Sequence, residues 1–461
     1  MAQILPLRTH ARLSRRVAMV SLAVAAVLGA IAAPADAARI QRVVSPGGIT
    51  AWLIESHTLP LIRMSACFKG GTAQDPEAKR GVGYFAQWMM NEGAGEMNTA
   101  QFNRQKTLLG MGESRHITAE RQIINFVALT EKRDASFDLL RQMLTAPRFD
   151  EDAMTRARAD IANSIEALRL NPANNIFNEL FGAMFPGHPY GIGKQGTLDT
   201  VAAITPQDME AFRRRTLTRD NLSVAVVGDI DAATLGTLLD KVFGGLPEHG
   251  QIVAVPTVAP APPQDKIITD NVKQANVAFG YTIDTPLTSK DMPGVAILNH
   301  ILSGGVLTSR LDREIRVKRG LVYSIGFTII RTPTNQYAYG SFGAEPASAE
   351  EAYQLAREQI RKLAEEGPTP EEIQHAKTYL QGSYVVALSN SAGLVGELLD
   401  LQRYDYGLDA IDTYAADVEA VTPEQLRELA RRIFKPDAMS RIVVAPPVPQ
   451  AALMGNAKPS Q

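Results

Sequence analysis

The chain carries a second copy of one of its own segments. "VAAITPQDMEAFRRRTLTRDNLSVAVVGD" at 201–229 aligns without gaps on "VEAVTPEQLRELARRIFKPDAMSRIVVAP" at 418–446, with a constant offset of 217 residues. Ten of the 29 positions are identical, where about two would match by chance from average residue usage. Both copies read alike physically. Thr205 and Thr422 stand as N-caps, each followed by Pro at the first helical position, Pro206 and Pro423, where the missing N–H costs no hydrogen bond. An amphipathic helix, a loop and a β-branched strand follow in each. A repeat of so long a period indicates a duplicated domain and excludes a solenoid.

The junction between the copies is marked by Pro247, Pro256, Pro260, Pro262 and Pro263, a stretch expected to be extended and semi-rigid. "TAWLIES" and "LIRMSACF" open the first half as strands, with Pro46-Gly47-Gly48 turning the chain, and "KIITDNV" and "ANVAFGYTI" open the second. Helical periodicity runs through 134–146, 151–170, 349–365 and 370–387. Strands grouped apart from helices give an α+β class: two homologous domains, 38–246 and 266–446, each a mainly antiparallel sheet packed by helices. The Pro-rich linker covers 247–265, and 447–461 is expected to be a disordered tail.

Residues 1–37 read as a signal peptide. Arg8, Arg12, Arg15 and Arg16 precede the apolar run 17–33, and Ala35-Asp36-Ala37 supplies a small-x-small cleavage site. Its removal leaves 43 basic and 48 acidic residues, a net charge of -5, which gives no basic footprint for nucleic acid. No later apolar run reaches the ~20 residues that span a bilayer, so a periplasmic location is expected. The single cysteine, Cys67, lies in a strand-like segment and reads as a buried, inert thiol.

The segment "FKGGTAQDPEAKRGVGYFAQWMMNEG" contains a helix with its apolar stripe at Val82, Phe85, Ala86, Met89 and Met90. Tyr84, Gln87 and Trp88, at i, i+3 and i+4, share another face. That spacing suits a His-x-x-Glu-His zinc site, but a phenol, an amide and an indole occupy it. Further on, "ILSGGVLTSRLDREIRVKRGLVYSIGF" reads as a helix, a cap at Arg319-Gly320 and a strand. With the duplication, these segments resemble the insulinase/pitrilysin-type zinc metallopeptidases, which include the processing peptidases, over roughly residues 40–446.

The resemblance implies that Tyr84 and Trp88 stand at the two His ligand positions and Gln87 at that of the catalytic Glu. The third ligand position falls at Ser164, with Asn163 and Glu166 as alternatives. An indole nitrogen has no free lone pair and a neutral phenol is a poor zinc ligand, so no cofactor is expected in this chain. Tyr84 and Trp88 are expected to fill the vacated cavity. No pair of the remaining histidines sits at ligand spacing; Glu372-x-x-His375 reads as a solvated helix face, and His188 in "FPGHPYGIG" as a loop-structuring residue. In the resembling enzymes, an Arg/Tyr pair matching Arg316 and Tyr323 faces the zinc and hydrogen-bonds the substrate carbonyl. The implied function is a zinc-free subunit of an exported heterodimeric metalloendopeptidase acting on unfolded peptides. Arg316 and Tyr323 would then act in trans on a homologous partner that keeps His-x-x-Glu-His and carries the zinc. The alternative is a non-proteolytic structural or peptide-binding scaffold of the same fold. For Arg316 and Tyr323 themselves, the bland alternative is a local salt bridge and a core ring.

Overall fold

A computed structural model describes residues 40–447. The expected signal peptide at 1–37, and the tail beyond 447, lie outside the described residues. In the first half the strands are β1 (Gln41–Val44), β2 (Thr50–Glu55), β3 (Leu61–Lys69), a two-residue hairpin of β4 (Gly93–Ala94) and β5 (Met97–Asn98), β6 (Gly112–Ile117), β7 (Arg121–Leu129) and β8 (Leu222–Gly228). All but the hairpin form one sheet, in the order β1-β2-β8-β3-β7-β6. The second half supplies β9 (Asp265–Thr269), β10 (Ala275–Ile283), β11 (Val322–Arg331), β12 (Gln336–Ala344) and β13 (Ser440–Ala445), ordered β11-β12-β10-β13-β9. Read from the other edge, the second sheet superposes in order on β2-β8-β3-β7-β6. Even the exception repeats: each sheet is antiparallel but for one parallel pair, β2 with β8 and β9 with β13.

The duplicated segment keeps its register. Helix Pro206–Thr216 and helix Pro423–Ile433 occupy matching positions at the 217-residue offset. Thr205 accepts from the Asp208 N–H, and Thr422 from that of Gln425, each inside a reciprocal capping box. Helices Arg133–Thr145, Glu151–Arg169, Ala349–Glu365 and Pro370–Ala387 lie within a residue of their predicted bounds.

Two further helices join the halves. Helix Pro172–Met184 belongs to the first half but packs on β10 and β13 of the second sheet. There Ile176, Leu180 and Met184 meet Ala278, Ile442 and Val444. Helix Ser391–Arg403 does the reverse, lying across β3 and β8. Its Gln402 side chain donates to the Val224 carbonyl at 3.0 Å, and Arg63 donates to the Ser391 hydroxyl at 3.2 Å. Each 13-residue helix starts on an asparagine cap, Asn171 or Asn390. Each half therefore covers one face of the other's sheet, and from Gln41 onward the described residues form one compact unit.

The Pro-rich segment has no regular secondary structure between Leu246 and Asp265, and it is strapped down. Gln74 both donates to the Val253 carbonyl and accepts from its N–H, at 2.8 Å each. The Pro256 carbonyl accepts from Asn335 at 3.2 Å and lies 3.0 Å from His188 Nε2. His188 also accepts from the Tyr190 N–H at 3.2 Å, which gives its ring the loop-structuring task the sequence suggested. Cys67 is buried in β3, and that burial pushes its thiol up to about 11.

Candidate functional site

Helix Val82–Met89 is held at its N-terminus by Asp75, whose carboxylate accepts from the Gly81 and Gly83 N–H groups at 2.8 and 3.1 Å. Burial raises the Asp75 carboxyl to about 7 against those hydrogen bonds. Gly83 lets the helix approach its neighbour closely, since an added Cβ would lie 2.6 Å from the Phe212 ring. The predicted stripe faces inward: Val82, Phe85, Ala86 and Met89 pack with Met154, Ala157 and Ile161 of helix Glu151–Arg169 and with Met209 and Phe212.

On the other face, Tyr84, Gln87 and Trp88 line one hollow of about 370 Å³ together with Asn91, Glu92 and Arg115. The Tyr84 and Trp88 rings stand 6.2 Å apart, inclined at 55°. They wall the hollow and do not fill it, contrary to the expectation from sequence, because both also pack against the cluster beneath and keep part of their surface in solvent. Gln87 is 5% exposed, and its backbone carbonyl accepts from Arg115 at 2.6 Å. Ser164 sits on the neighbouring helix and accepts from the Gln195 side chain at 2.7 Å. Burial raises the Tyr84 phenol above its ordinary range, an effect the polar Gln195 side chain partly offsets.

This donor set does not suit zinc. A phenol held neutral, an amide, an indole and a hydroxyl already engaged by Gln195 offer no anionic or imidazole ligand. Among the described residues no three His, Cys, Asp or Glu side chains gather in a way that could hold a metal ion.

Arg316 and Tyr323 are brought together. Arg316 lies in a π-helical turn, Asp312–Val317, which Gly320 closes at φ 64°. The Gly320 and Leu321 N–H groups return to the Arg316 and Ile315 carbonyls, the cap expected at this point. β11 then presents Tyr323, with a bulge between Val322 and Ile325. The guanidinium lies over the Tyr323 ring, 5.1 Å from its centroid, a cation–π arrangement. Tyr323 is 84% exposed, so it is not a core residue. The nearest carboxylate to Arg316, Asp312, is 3.9 Å away, a loose ion pair. Among the described residues no hydrogen bond, ion pair or ring contact connects this pair with Tyr84, Gln87, Trp88 or Ser164.

Glu372 and His375 are not simply a solvated face. Glu372 makes a two-point ion pair with Arg310, both distances 2.7 Å, and His375 lies 5.9 Å from the buried His300 ring. The site residues that the sequence did not reveal are Asn91, Glu92 and Arg115. The spacing of helix Val82–Met89 carries no information about β6, which brings Arg115 to it.

Comparison with known proteins accords with this architecture. Residues 52–197 match the insulinase family (peptidase family M16), and residues 203–380 match its "Peptidase M16 inactive domain". The chain belongs to the insulinase family, as a member lacking its catalytic zinc motif. It is 24% identical over 412 residues to an uncharacterized zinc protease of Streptomyces coelicolor, covering 86% of this chain and 87% of that one. It is 22% identical over 330 residues to a "non-peptidase homolog" of Helicobacter pylori, covering 71% and 76% of the two chains. The crystal structure of a peptidase M16 inactive domain from Pseudomonas fluorescens superposes with a TM-score of 0.82 over 89% of this chain and 98% of that one, at 22% identity. At that identity the match speaks for the fold alone.

Proposed function

We propose that this chain is the zinc-free subunit of an exported, two-chain metalloendopeptidase of the insulinase family, active on unfolded peptides. Its homologous partner would keep His-x-x-Glu-His and hold the metal. The observation that carries the reading is the state of Tyr323. A tyrosine placed for packing is buried; this one is exposed, has its hydroxyl free of any partner among the described residues, and lies under a guanidinium. Arg316 and Tyr323 together offer two donors to a peptide carbonyl whose oxygen gains negative charge as it is attacked. Donors aimed at that charge act mainly in the transition state. The basic, apolar and small-x-small order of residues 1–37 supports export to the periplasm, and no helix among the described residues is long and apolar enough to cross a membrane.

A scaffold without proteolysis is the second reading, favoured by the name of the Helicobacter pylori relative. Co-purification from the native host, with metal analysis of each chain, separates the two. The first reading expects a homologous partner carrying about one zinc and this chain carrying well under one. Recovery of this chain alone, or with partners unrelated to it, would leave the scaffold.

A further inference from the structure

We propose that the hollow on helix Val82–Met89 is a binding site for the free C-terminal carboxylate of a peptide. The inference stands on this pocket and does not depend on Arg316 and Tyr323 acting in trans. Arg115, Asn91 and Trp88 all line the hollow, and each carries a donor with no hydrogen-bond partner among the described residues: Arg115 Nη2, Asn91 Nδ2 and Trp88 Nε1. Their orientations are fixed from behind. Arg115 is tied through Nη1, which donates to the Gln87 carbonyl at 2.6 Å, and its Nε stands 3.2 Å from Glu113 as an ion pair without a hydrogen bond. Lys106 donates to Asn91 Oδ1 at 2.7 Å, which turns the amide NH₂ outward.

The charge balance selects an anion. Glu113, 4% exposed, is shared between Lys106 at 2.9 Å and Arg115. Glu92 accepts from Thr99 at 3.3 Å and lies 3.6 Å from Arg156. Lys194 adds a fourth cation, 5.5 Å from the Tyr84 centroid. Arg156 is also paired with Asp152 at 2.8 Å, so four cations stand among three carboxylates, each of them engaged. The size selects a chain end over a bare ion. The hollow of about 370 Å³ holds more than one carboxylate, and the Tyr84 and Trp88 rings offer an apolar wall to a terminal side chain. Gln87 also lines the hollow; its Oε1 accepts no hydrogen bond among the described residues and suits the N–H of the last residue. Loss of the metal ligands has left a pocket with the chemistry to retain a peptide end and no means to hydrolyse it.

The test titrates the intact mature chain with the tetrapeptide Ala-Ala-Ala-Leu as free acid, as C-terminal amide, with N-acetyl-leucine and with inorganic phosphate. Calorimetry and tryptophan emission are the readouts. The free acid is expected to bind and to shift the emission of Trp88, with the amide weaker by about tenfold or more, the worth of a hydrogen bond to a charged group. Asn91→Ala should lower affinity for the acid by about tenfold and leave the amide unchanged. The acid–amide comparison uses unaltered protein, so it stands even if a variant misfolds. Equal binding of acid and amide, no binding of either at millimolar peptide, or equal binding of phosphate would overturn the proposal. N-acetyl-leucine binding as tightly as the tetrapeptide would overturn its peptide part and assign the site to a small acid.

Discussion

Tyr84 and Tyr323 put the same side chain into the two halves of a duplicated fold, in opposite circumstances. Tyr84 sits on a helix anchored by Asp75, packs beside Trp88, and is half-buried, which raises its phenol above the ordinary range. Tyr323 sits in a bulge of an edge strand, lies under Arg316 and faces solvent. The first half keeps the frame of the zinc site without its ligands; the second holds Arg316 and Tyr323 together at an exposed strand edge. Framework and chemistry are thus separable. Helix caps, sheet order and reciprocal helices are shared by both halves, whereas the site side chains differ between them.

The largest effects are expected where the halves hold each other. Leu180 and Leu398 are fully buried, one in each crossing helix. Leu180→Ala and Leu398→Ala should each cost about 2–5 kcal/mol, measured by urea denaturation, and each should move a single transition. Two separate transitions, one per half, would break the picture of reciprocal covering.

Next comes the chemistry of the second half. With the catalytic partner supplied and activity reconstituted, Tyr323→Phe should lower kcat about 10²–10³-fold, the loss seen for one oxyanion donor. kcat/KM should fall with it, while assembly and the stability of this chain stay unchanged because the ring is exposed. An unaltered kcat in a complex that forms normally would remove the trans-acting role.

The caps test the symmetry more finely. Thr205→Ala and Thr422→Ala should each cost about 1 kcal/mol in the same denaturation assay. A strong difference between them would show that the two capping boxes are not equivalent. The smallest effect is expected at Tyr84→Phe. It removes one half-buried hydroxyl, at about 1 kcal/mol or less, and should leave kcat of the reconstituted complex unchanged. A loss of activity as large as that of Tyr323→Phe would erase the contrast between the halves.

The residues themselves determined the duplication, the helices that start on Thr205 and Thr422, and the alternation of strands, because caps and periodicity act within a few residues. They also fixed the absence of zinc ligands at 84, 87 and 88, since ligand chemistry belongs to side-chain type. Helices Pro172–Met184 and Ser391–Arg403 carry legible signals, an asparagine cap and, in the first, Pro172. An apolar stripe tells that a helix is covered; it does not tell which sheet covers it, and here each goes to the other half. Only the tertiary structure decided that Tyr323 is free, because its exposure depends on the bulge and the sheet edge. It alone set Arg115 of β6 behind Gln87, 28 residues away in the chain, and left an open hollow where two large rings were expected to close it. Contacts of that range are fixed by strand pairing and helix docking, and local sequence carries no record of them.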